Sequence, residues 1–265
     1  MASKVDKRRG EILSVLRRDG VVYVTELAKL FKVTSETIRN DFDVLAEEHG
    51  LRRIHGGLRL DEKRPGGRHY RYQERKSVHV EEKRRLCRGS AGLIQDGDHV
   101  YLDGGSTVSY LPSFLTQNND LVLVTPSLPI AVSYVMEGFA EEFERRGNRL
   151  VMAGGTIDPN MLTTYGALFA ESVHNLRFDK MIFSVDAVDL EAGPTNADEL
   201  AFSIIRQVAD RSRTRILLAD SSKLGSVSSY RPLDWEQIDY FVTDEALAAE
   251  WVQVLNEHSV RYVQA

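Results

Sequence analysis

Apolar residues recur at helical spacing in three short stretches near the start of the chain. Beyond residue 76 they give way to a long alternation of continuous apolar runs with helix-like segments. Arg9 to Arg18 carries Ile12, Val15 and Leu16 on one face and stops at Asp19-Gly20, which predicts a first helix. Val21-Val22-Tyr23-Val24 is a short extended piece. Thr25 then precedes Glu26 to Phe31, where Leu27, Leu30 and Phe31 form the buried stripe of a second helix. Lys32-Val33 makes a tight connection, and Thr34 is placed to N-cap a third helix from Ser35 to about Glu48, buried through Ile38, Phe42 and Leu45.

Two short helices joined by a few residues form the helix-turn-helix pattern, in which the N-terminal part of the second helix enters the major groove of DNA. That placement aims Ser35, Glu36, Thr37, Arg39 and Asn40 at bases and phosphates, with Thr25 beside them. The chemistry agrees: Arg bonds guanine O6 and N7 in bidentate fashion, Asn does the same to adenine, and hydroxyls suit either target. After Gly50, Leu51 to Leu58 reads as a β-hairpin wing with Arg52, Arg53 and His55 near a tip that Gly56-Gly57 allows to turn, positioned for backbone phosphate. Spacing alone fits equally a three-helix unit that only packs.

Residues 59–76 mix Pro65, Gly66, Gly67 and many charges without apolar periodicity, so the expected boundaries are a DNA-binding domain over 1–60, a linker over 61–76 and a second domain over 77–265. In that second domain, strand-like runs begin at His99, Leu121, Leu150, Lys180, Arg215 and Tyr240. Such continuous apolar strands predict a sheet covered on both faces, hence a doubly wound, mostly parallel α/β domain. Open sheets of this kind bind ligands at the carboxyl ends of their strands. Asp103-Gly104-Gly105-Ser106-Thr107 follows the first run and opens a helix reaching to about Leu115, so its N–H groups and hydroxyls can receive a phosphate. Thr125 and Ser127, Gly154 and Gly155, and Asp220 with Lys223 end other strands and complete the candidate pocket. Lys223 has two readings, a partner for an anionic ligand or a salt bridge holding its own loop.

Charge sharpens this division. The net charge of −5 conceals 18 Lys/Arg against 12 Asp/Glu in residues 1–76, which leaves −11 on the remainder. A basic head suits phosphate contacts and an acidic body does not. The single cysteine, Cys87, excludes an intrachain disulfide and reads as a small buried apolar residue. No metal or cofactor is expected. No apolar run reaches the length of a membrane span and the first residues lack a signal-peptide pattern, so a cytoplasmic location is expected.

The runs Val24-Thr25-Glu26-Leu27-Ala28, Val33-Thr34-Ser35-Glu36-Thr37-Ile38-Arg39-Asn40-Asp41-Phe42 and Leu51-Arg52-Arg53-Ile54-His55-Gly56-Gly57 resemble the signature of the DeoR family of bacterial sugar-metabolism regulators. Farther on, Glu74-Arg75, Glu82-Lys83, Asp96-Gly97-Asp98, the Asp103 to Thr107 loop, Gly154-Gly155, Gly193-Pro194-Thr195 and Asp220 to Gly225 are similar in order and spacing to that family's effector domain. The resemblance implies a sensor fold related to ribose-5-phosphate isomerase, a phosphorylated sugar-like effector, a homodimer or homotetramer, and repression of an operator that the effector relieves. Activation stays open.

The chain departs from the family where Asn40 replaces a second Arg, which points to altered base preference. Pro126 stands where Asn is common, Ser184-Val185-Asp186-Ala187 where glycines are common, and Ser203 where a basic residue is expected. Those changes near the pocket make sugar acids plausible effectors. The competing reading is a sugar-phosphate isomerase, whose base would be sought among Asp103, Asp186 and Asp220. The DNA-reading head has no purpose in such an enzyme.

Overall fold

A computed structural model of the chain describes residues 4–19, 21–49, 51–54, 56–59, 72–136 and 140–265. They fall into two compact units, residues 1–68 and 69–265. In the first, α1 (Lys4–Asp19), β1 (Val21–Tyr23), α2 (Val24–Phe31) and α3 (Ser35–His49) precede the antiparallel pair β2 (Arg52–Ile54) and β3 (Gly57–Arg59). The small sheet runs β1-β3-β2. Its core is Ile12 and Leu16 of α1, Val24 and Leu27 of α2, Ile38, Phe42 and Leu45 of α3, and Val22 and Leu58 from the strands. Thr34 Oγ1 accepts the Thr37 N–H at 3.2 Å, the N-cap that its position predicts.

The second helix starts earlier than its sequence suggests. β1 stays paired up to Tyr23 opposite Gly57, and the Val24 N–H donates to the Gly56 carbonyl at 2.9 Å, so the chain enters α2 straight from the strand. Thr25 therefore lies exposed inside the first turn rather than ahead of it. With Val24 and Leu27 inward and Ala28 and Phe31 partly covered, Leu30 falls on the outer side and is 63% exposed, not part of the buried stripe.

The second unit begins with α4 (Tyr72–Lys76) and α5 (Val80–Ala91), then β4 (His99–Leu102), a 3-10 helix (Val108–Phe114), β5 (Val122–Thr125), α6 (Leu128–Met136), α7 (Ala140–Arg145) and β6 (Arg149–Met152). The hairpin of β7 (Thr156–Asp158) and β8 (Thr163–Tyr165) follows, then α8 (Ala167–His174) and β9 (Phe178–Ser184). A second hairpin, β10 (Ala187–Asp189) with β11 (Gly193–Thr195), precedes α9 (Glu199–Ala209), β12 (Ser212–Leu218), β13 (Tyr240–Thr243), α10 (Ala249–Glu257) and β14 (Arg261–Gln264). Residues 72–76, which sequence places in the linker, are helical instead, because Tyr72 is buried and its N–H donates to the Asn160 carbonyl at 2.8 Å.

Seven parallel strands run in the order β14-β13-β12-β9-β4-β5-β6. Alternate residues feed two cores. Tyr101, Met181, Phe183, Leu217 and Phe241 meet α8, α9 and α10 on one face. Val100, Leu102, Ile182, Ile216 and Val242 meet α5, the 3-10 helix, α6 and α7 on the other. This is the doubly wound arrangement that unbroken apolar strands require. From β4 the sheet grows outward through β5 and β6, and from β9 it grows the other way through β12, β13 and β14. The order reverses between β4 and β9, and connections leaving a reversal point diverge to open a crevice at the carboxyl ends.

Candidate functional site

The crevice between β4 and β9 gathers buried polar groups from several loops of the second unit. Beyond β4, Asp103, Ser106 and Thr107 are buried. The loop lies so close to its neighbours that a Cβ on Gly104 would stand 2.8 Å from Thr163 Oγ1, and one on Gly105 would stand 2.3 Å from Ser184 Oγ at the end of β9. Glycine is needed here for close approach rather than for a special backbone angle. Thr163 arrives because the β7–β8 hairpin folds over β5, with the Thr164 N–H donating to the Pro126 carbonyl and the Leu128 N–H to the Leu162 carbonyl, both at 2.9 Å.

Three cations and three carboxylates share this space. Arg75 of α4 donates to Asp186 Oδ1 at 3.4 Å and to the Met161 sulfur at 3.3 Å. Lys83 of α5 donates to the Arg75 carbonyl and, at 2.7 Å, to the Val78 carbonyl, which fastens the end of α4 to α5. Lys223 lies 3.8 Å from Asp220, itself buried and bonded by the Ser222 hydroxyl. Burial, reinforced by Lys223, pushes the Lys83 ammonium down to about 8. Burial also lowers Lys223, against the pull of Asp220 and Asp186. Asp103 is pushed up to about 6 by burial, which outweighs the Gly104 N–H, Arg75 and the Gly105 N–H. Among the described residues, Thr107 Oγ1 and Arg75 Nε are buried without a hydrogen-bond partner.

In the first unit, α3 turns Ile38, Asp41, Phe42 and Leu45 inward and leaves Ser35, Glu36, Arg39, Asn40 and Asp43 exposed. Arg39 pairs with Glu36 at 3.2 Å on that open face. Behind it, the buried Asp41 carboxylate accepts from Arg8 Nε at 2.5 Å, Arg8 Nη2 at 3.1 Å and Arg9 Nε at 3.0 Å, a clamp between α1 and α3. Arg53 of the wing pairs with Asp43 at 3.1 Å and lies 5.3 Å from the centre of the Phe42 ring. The unit thus presents an uncovered helix face beside a three-stranded wing.

The profile of the DeoR-like helix-turn-helix domain matches residues 8–64, and that of the DeoR C terminal sensor domain matches residues 78–245. The chain belongs to the DeoR family. Its head is a helix-turn-helix DNA-binding domain, its body a sensor domain, and the protein is a transcriptional regulator. The glycerol-3-phosphate regulon repressor of Escherichia coli (strain K12) is 26% identical over 258 residues, covering 97% of this chain and 98% of that protein. The HTH-type transcriptional repressor GlcR of Bacillus subtilis (strain 168) is 28% identical over 255 residues, covering 96% and 94%. The HTH-type transcriptional regulator IolR of the same strain is 27% identical over 251 residues, covering 91% and 92%. Among solved structures, ribose 5-phosphate isomerase from Plasmodium falciparum aligns with a TM-score of 0.36 and 20% identity, over 54% of this chain and 52% of that one.

In this DeoR-family regulator, Ser35, Glu36, Arg39 and Asn40 lie on the exposed face of α3, and Thr37 is half covered by its bond to Thr34. Gly56 makes the wing turn at φ +70°. His55 and the Arg52 side chain lie outside the described residues. Asp103, Gly104, Gly105, Ser106, Thr107, Asp220 and Lys223 belong to the loops that follow β4 and β12, and Lys223 takes the loop-holding salt bridge. The helix expected to open at Thr107 is a seven-residue 3-10 helix containing Pro112. It lends little dipole, and the Gly104 and Gly105 N–H groups already face the Asp103 carboxylate.

Thr125 and Ser127 turn inward to local work. Thr125 Oγ1 accepts the Ser127 N–H at 3.1 Å, and Ser127 Oγ accepts the Ile130 N–H at 3.4 Å at the start of α6. Gly155, at φ +141° with the Tyr165 carbonyl 2.4 Å from any added Cβ, is required by packing, whereas Gly154 faces open space. Cys87 is buried, donates to the Thr107 carbonyl at 3.1 Å and has its thiol pushed up by burial. Arg75, Lys83 and Asp186 were missing from the residues chosen as ligand contacts. The signals were the family-like placing of Glu74-Arg75 and Glu82-Lys83 and, for Asp186, its place beside the expected pocket and among the candidate bases.

Proposed function

We propose that this regulator binds a specific operator through α3 and the wing as a homodimer or homotetramer, and releases it when a phosphorylated sugar or sugar acid occupies the crevice between β4 and β9. The observation that carries this reading is the gathering of Arg75, Lys83 and Lys223 around a loop whose Thr107 hydroxyl is buried and unpaired. Two lysines of lowered proton affinity, a guanidinium beside them and an unsatisfied donor are what a phosphate monoester would stabilise. The glycerol-3-phosphate regulon repressor bears the name of a phosphorylated polyol, in keeping with that class of effector. Two recognition helices in a dimer would meet half-sites about one DNA turn, roughly 34 Å, apart. Effector and operator then favour different arrangements and weaken each other by the same factor.

The same geometry favours sensing over catalysis. Asp103 faces the N–H groups of its own loop, Asp186 accepts from Arg75 and from the Ala197 N–H at 2.9 Å, and Asp220 from the Ser222 hydroxyl. Each carboxylate already accepts from protein donors, which supports a sensing role over proton abstraction.

Thermal shift of the full-length protein against phosphorylated sugars, sugar acids and their unphosphorylated parents tests the reading. Ligand at about 100 times its Kd adds about 2.7 kcal/mol to the native state. Stabilisation by phosphorylated compounds alone, lost when Ser106 and Thr107 are both replaced by Ala, is the expected result. If none of them stabilises the protein while DNA selection still recovers a discrete operator, the regulator stands and the phosphate sensor falls.

A further inference from the structure

We propose that the outer face of α6 is the surface on which a second copy of this chain docks, the two α6 helices lying antiparallel about a two-fold axis. This rests on the homo-oligomer proposed above and assigns the surface that makes it. α6 runs from Leu128 to Met136 without a charged residue. Its inner side is satisfied by the fold: Ile130 is buried in the core below, and Tyr134 stands edge-on to the Phe143 ring at 5.8 Å and donates to Glu144 Oε1 at 2.9 Å. The outer side is not. Val132, Val135 and Met136, at the i, i+3, i+4 spacing of one helix face, are 58%, 69% and 77% exposed. A helix apolar on every side belongs in an interior. α7, next in the chain, shows the ordinary surface pattern, with Glu141, Glu142, Glu144 and Arg145 around a buried Phe143.

Neighbouring elements extend the apolar surface. α6 packs against β6, an edge of the seven-stranded sheet, where Val151 is exposed, and β7 follows with Ile157 exposed. Between α6 and α4 lies a groove of about 410 Å³, walled by Leu128, Val132 and Met136 on one side and by Tyr72, Lys76 and Leu162 on the other. The charge in its wall is engaged, since the Lys76 ammonium lies 5.9 Å from the Tyr72 ring centre and 5.7 Å from that of Tyr110. At roughly 100 Å² for each aliphatic side chain, the five exposed residues leave on the order of 300 Å² of apolar surface bare before the groove is counted. One partner of a standard interface gives about 800 Å², so this is enough for its apolar centre.

Charge selects the occupant. Residues 77–265 carry a net charge of −11, so two such bodies repel unless they meet where carboxylates are absent. Nucleic acid is repelled by the same charge and finds no Lys or Arg on α6. In a two-fold contact a residue near the axis faces its own copy, and an uncharged apolar side chain is complementary to itself. The two edges of the sheet differ in the same sense. On β14, Arg261 lies 5.3 Å from the Tyr240 ring centre and donates to its hydroxyl at 2.6 Å, and the strand ends in Gln264. On β6, Arg149 precedes an apolar Leu150, Val151 and Met152. Charged and polar side chains guard the β14 edge, and the β6 side is left open to a partner.

The test uses the full chain, with mass read by sedimentation over a range of concentrations. Wild-type protein is expected to be a dimer or tetramer. Val135→Glu is expected to halve that mass, self-association weakening at least about 100-fold with the circular dichroism spectrum unchanged. Mixing Val135→Glu with Val135→Lys is expected to restore the wild-type mass, because opposite charges then meet across the axis. Cys87 is buried, so Val135→Cys supplies an accessible thiol, which on mild oxidation is expected to link two chains far more readily than Val227→Cys, at a similarly exposed valine. A Val135→Glu protein of wild-type mass overturns the α6 contact and leaves the homo-oligomer to another surface. Lost mass that the mixture does not restore, with equal cross-linking at positions 135 and 227, overturns it as well. Should Val135→Glu fail to fold, the cross-linking comparison decides alone. Wild-type protein that stays monomeric at every concentration overturns the contact and the homo-oligomer together and leaves the face to a different partner.

Discussion

Asp41 lies directly behind the exposed face of α3, and replacing it tests how that helix is held. Its carboxylate is almost wholly buried and takes three charge-assisted bonds from Arg8 and Arg9, so Asp41→Ala strands two guanidinium groups beside an apolar core. Removing one partner of a buried pair costs about 3–5 kcal/mol. Arg8 and Arg9 keep 16% and 27% of their side-chain exposure and can turn toward water, which places the cost at the lower end, about 3 kcal/mol. Asp41→Asn keeps one acceptor and loses the charge, so about half that loss is expected, since bonds to charged groups are worth roughly twice neutral ones.

The chain divides into two compact units, so stability is read for each unit by its own probe. Both tryptophans, Trp235 and Trp251, belong to the second unit, and their fluorescence reports that unit alone. Amide exchange along α1 and α3 reports the first. Asp41→Ala is expected to speed that exchange roughly 150-fold, the equivalent of about 3 kcal/mol, with the tryptophan melt unmoved. Operator affinity should fall with it, because α3 can no longer be presented at a fixed angle. Exchange changed by less than about three-fold would refute the clamp as a source of stability.

Asp103 offers a pH-dependent test. Its folded value near 6 exceeds the unfolded value of about 3.9, so the native state binds this proton more tightly. Asp103 therefore costs stability above pH 6, about 2–3 kcal/mol in full, and the cost is relieved as pH falls from 6 toward 4. Asp103→Asn should raise the tryptophan-monitored melting temperature near pH 7.5, with the gap closing by pH 4.5; equal melting at pH 7.5 would sink the argument. Gly155→Ala should destabilise the second unit by at least about 2 kcal/mol in urea while Gly154→Ala changes it by less than about 1, because only the former meets a carbonyl and a positive φ. Arg39→Ala should cost about 1–3 kcal/mol of operator affinity and relax base preference at one position. Glu36→Ala should leave stability unchanged, since its pair with Arg39 is exposed; undiminished operator binding by Arg39→Ala would remove α3 from the groove.

The head was legible in the chain because its determinants are local. Thr34 caps α3 three residues from its partner N–H, Ile38, Phe42 and Leu45 repeat at helical spacing, and Gly56 marks the wing turn. Six strands of the main sheet were legible because each carries a continuous apolar run, as strands covered on both faces do, although β6 at the edge is only half covered. Leu30 was misjudged because the stripe of a two-turn helix depends on which residue starts it. That start was set by the pairing of Tyr23 with Gly57, more than thirty residues away.

Sequence by itself thus determined the two kinds of unit, their order, six of the seven strands of the main sheet and the helix α3, all of which follow from spacing and from turn and cap chemistry within a few residues. Only tertiary structure decided that β9 lies against β4, past β5 and β6, and so brought Ser184 and Asp186 to the Gly104-Gly105 loop. Tertiary packing likewise took Arg75 and Lys83, set in a charged stretch without apolar period, and brought Arg75 half-covered against Asp186 and Lys83 buried within reach of the Asp220 charge. No local pattern encodes that meeting. It arises when the sheet closes and water leaves the crevice, and the altered proton affinities of Asp103, Lys83 and Lys223 follow from the same burial.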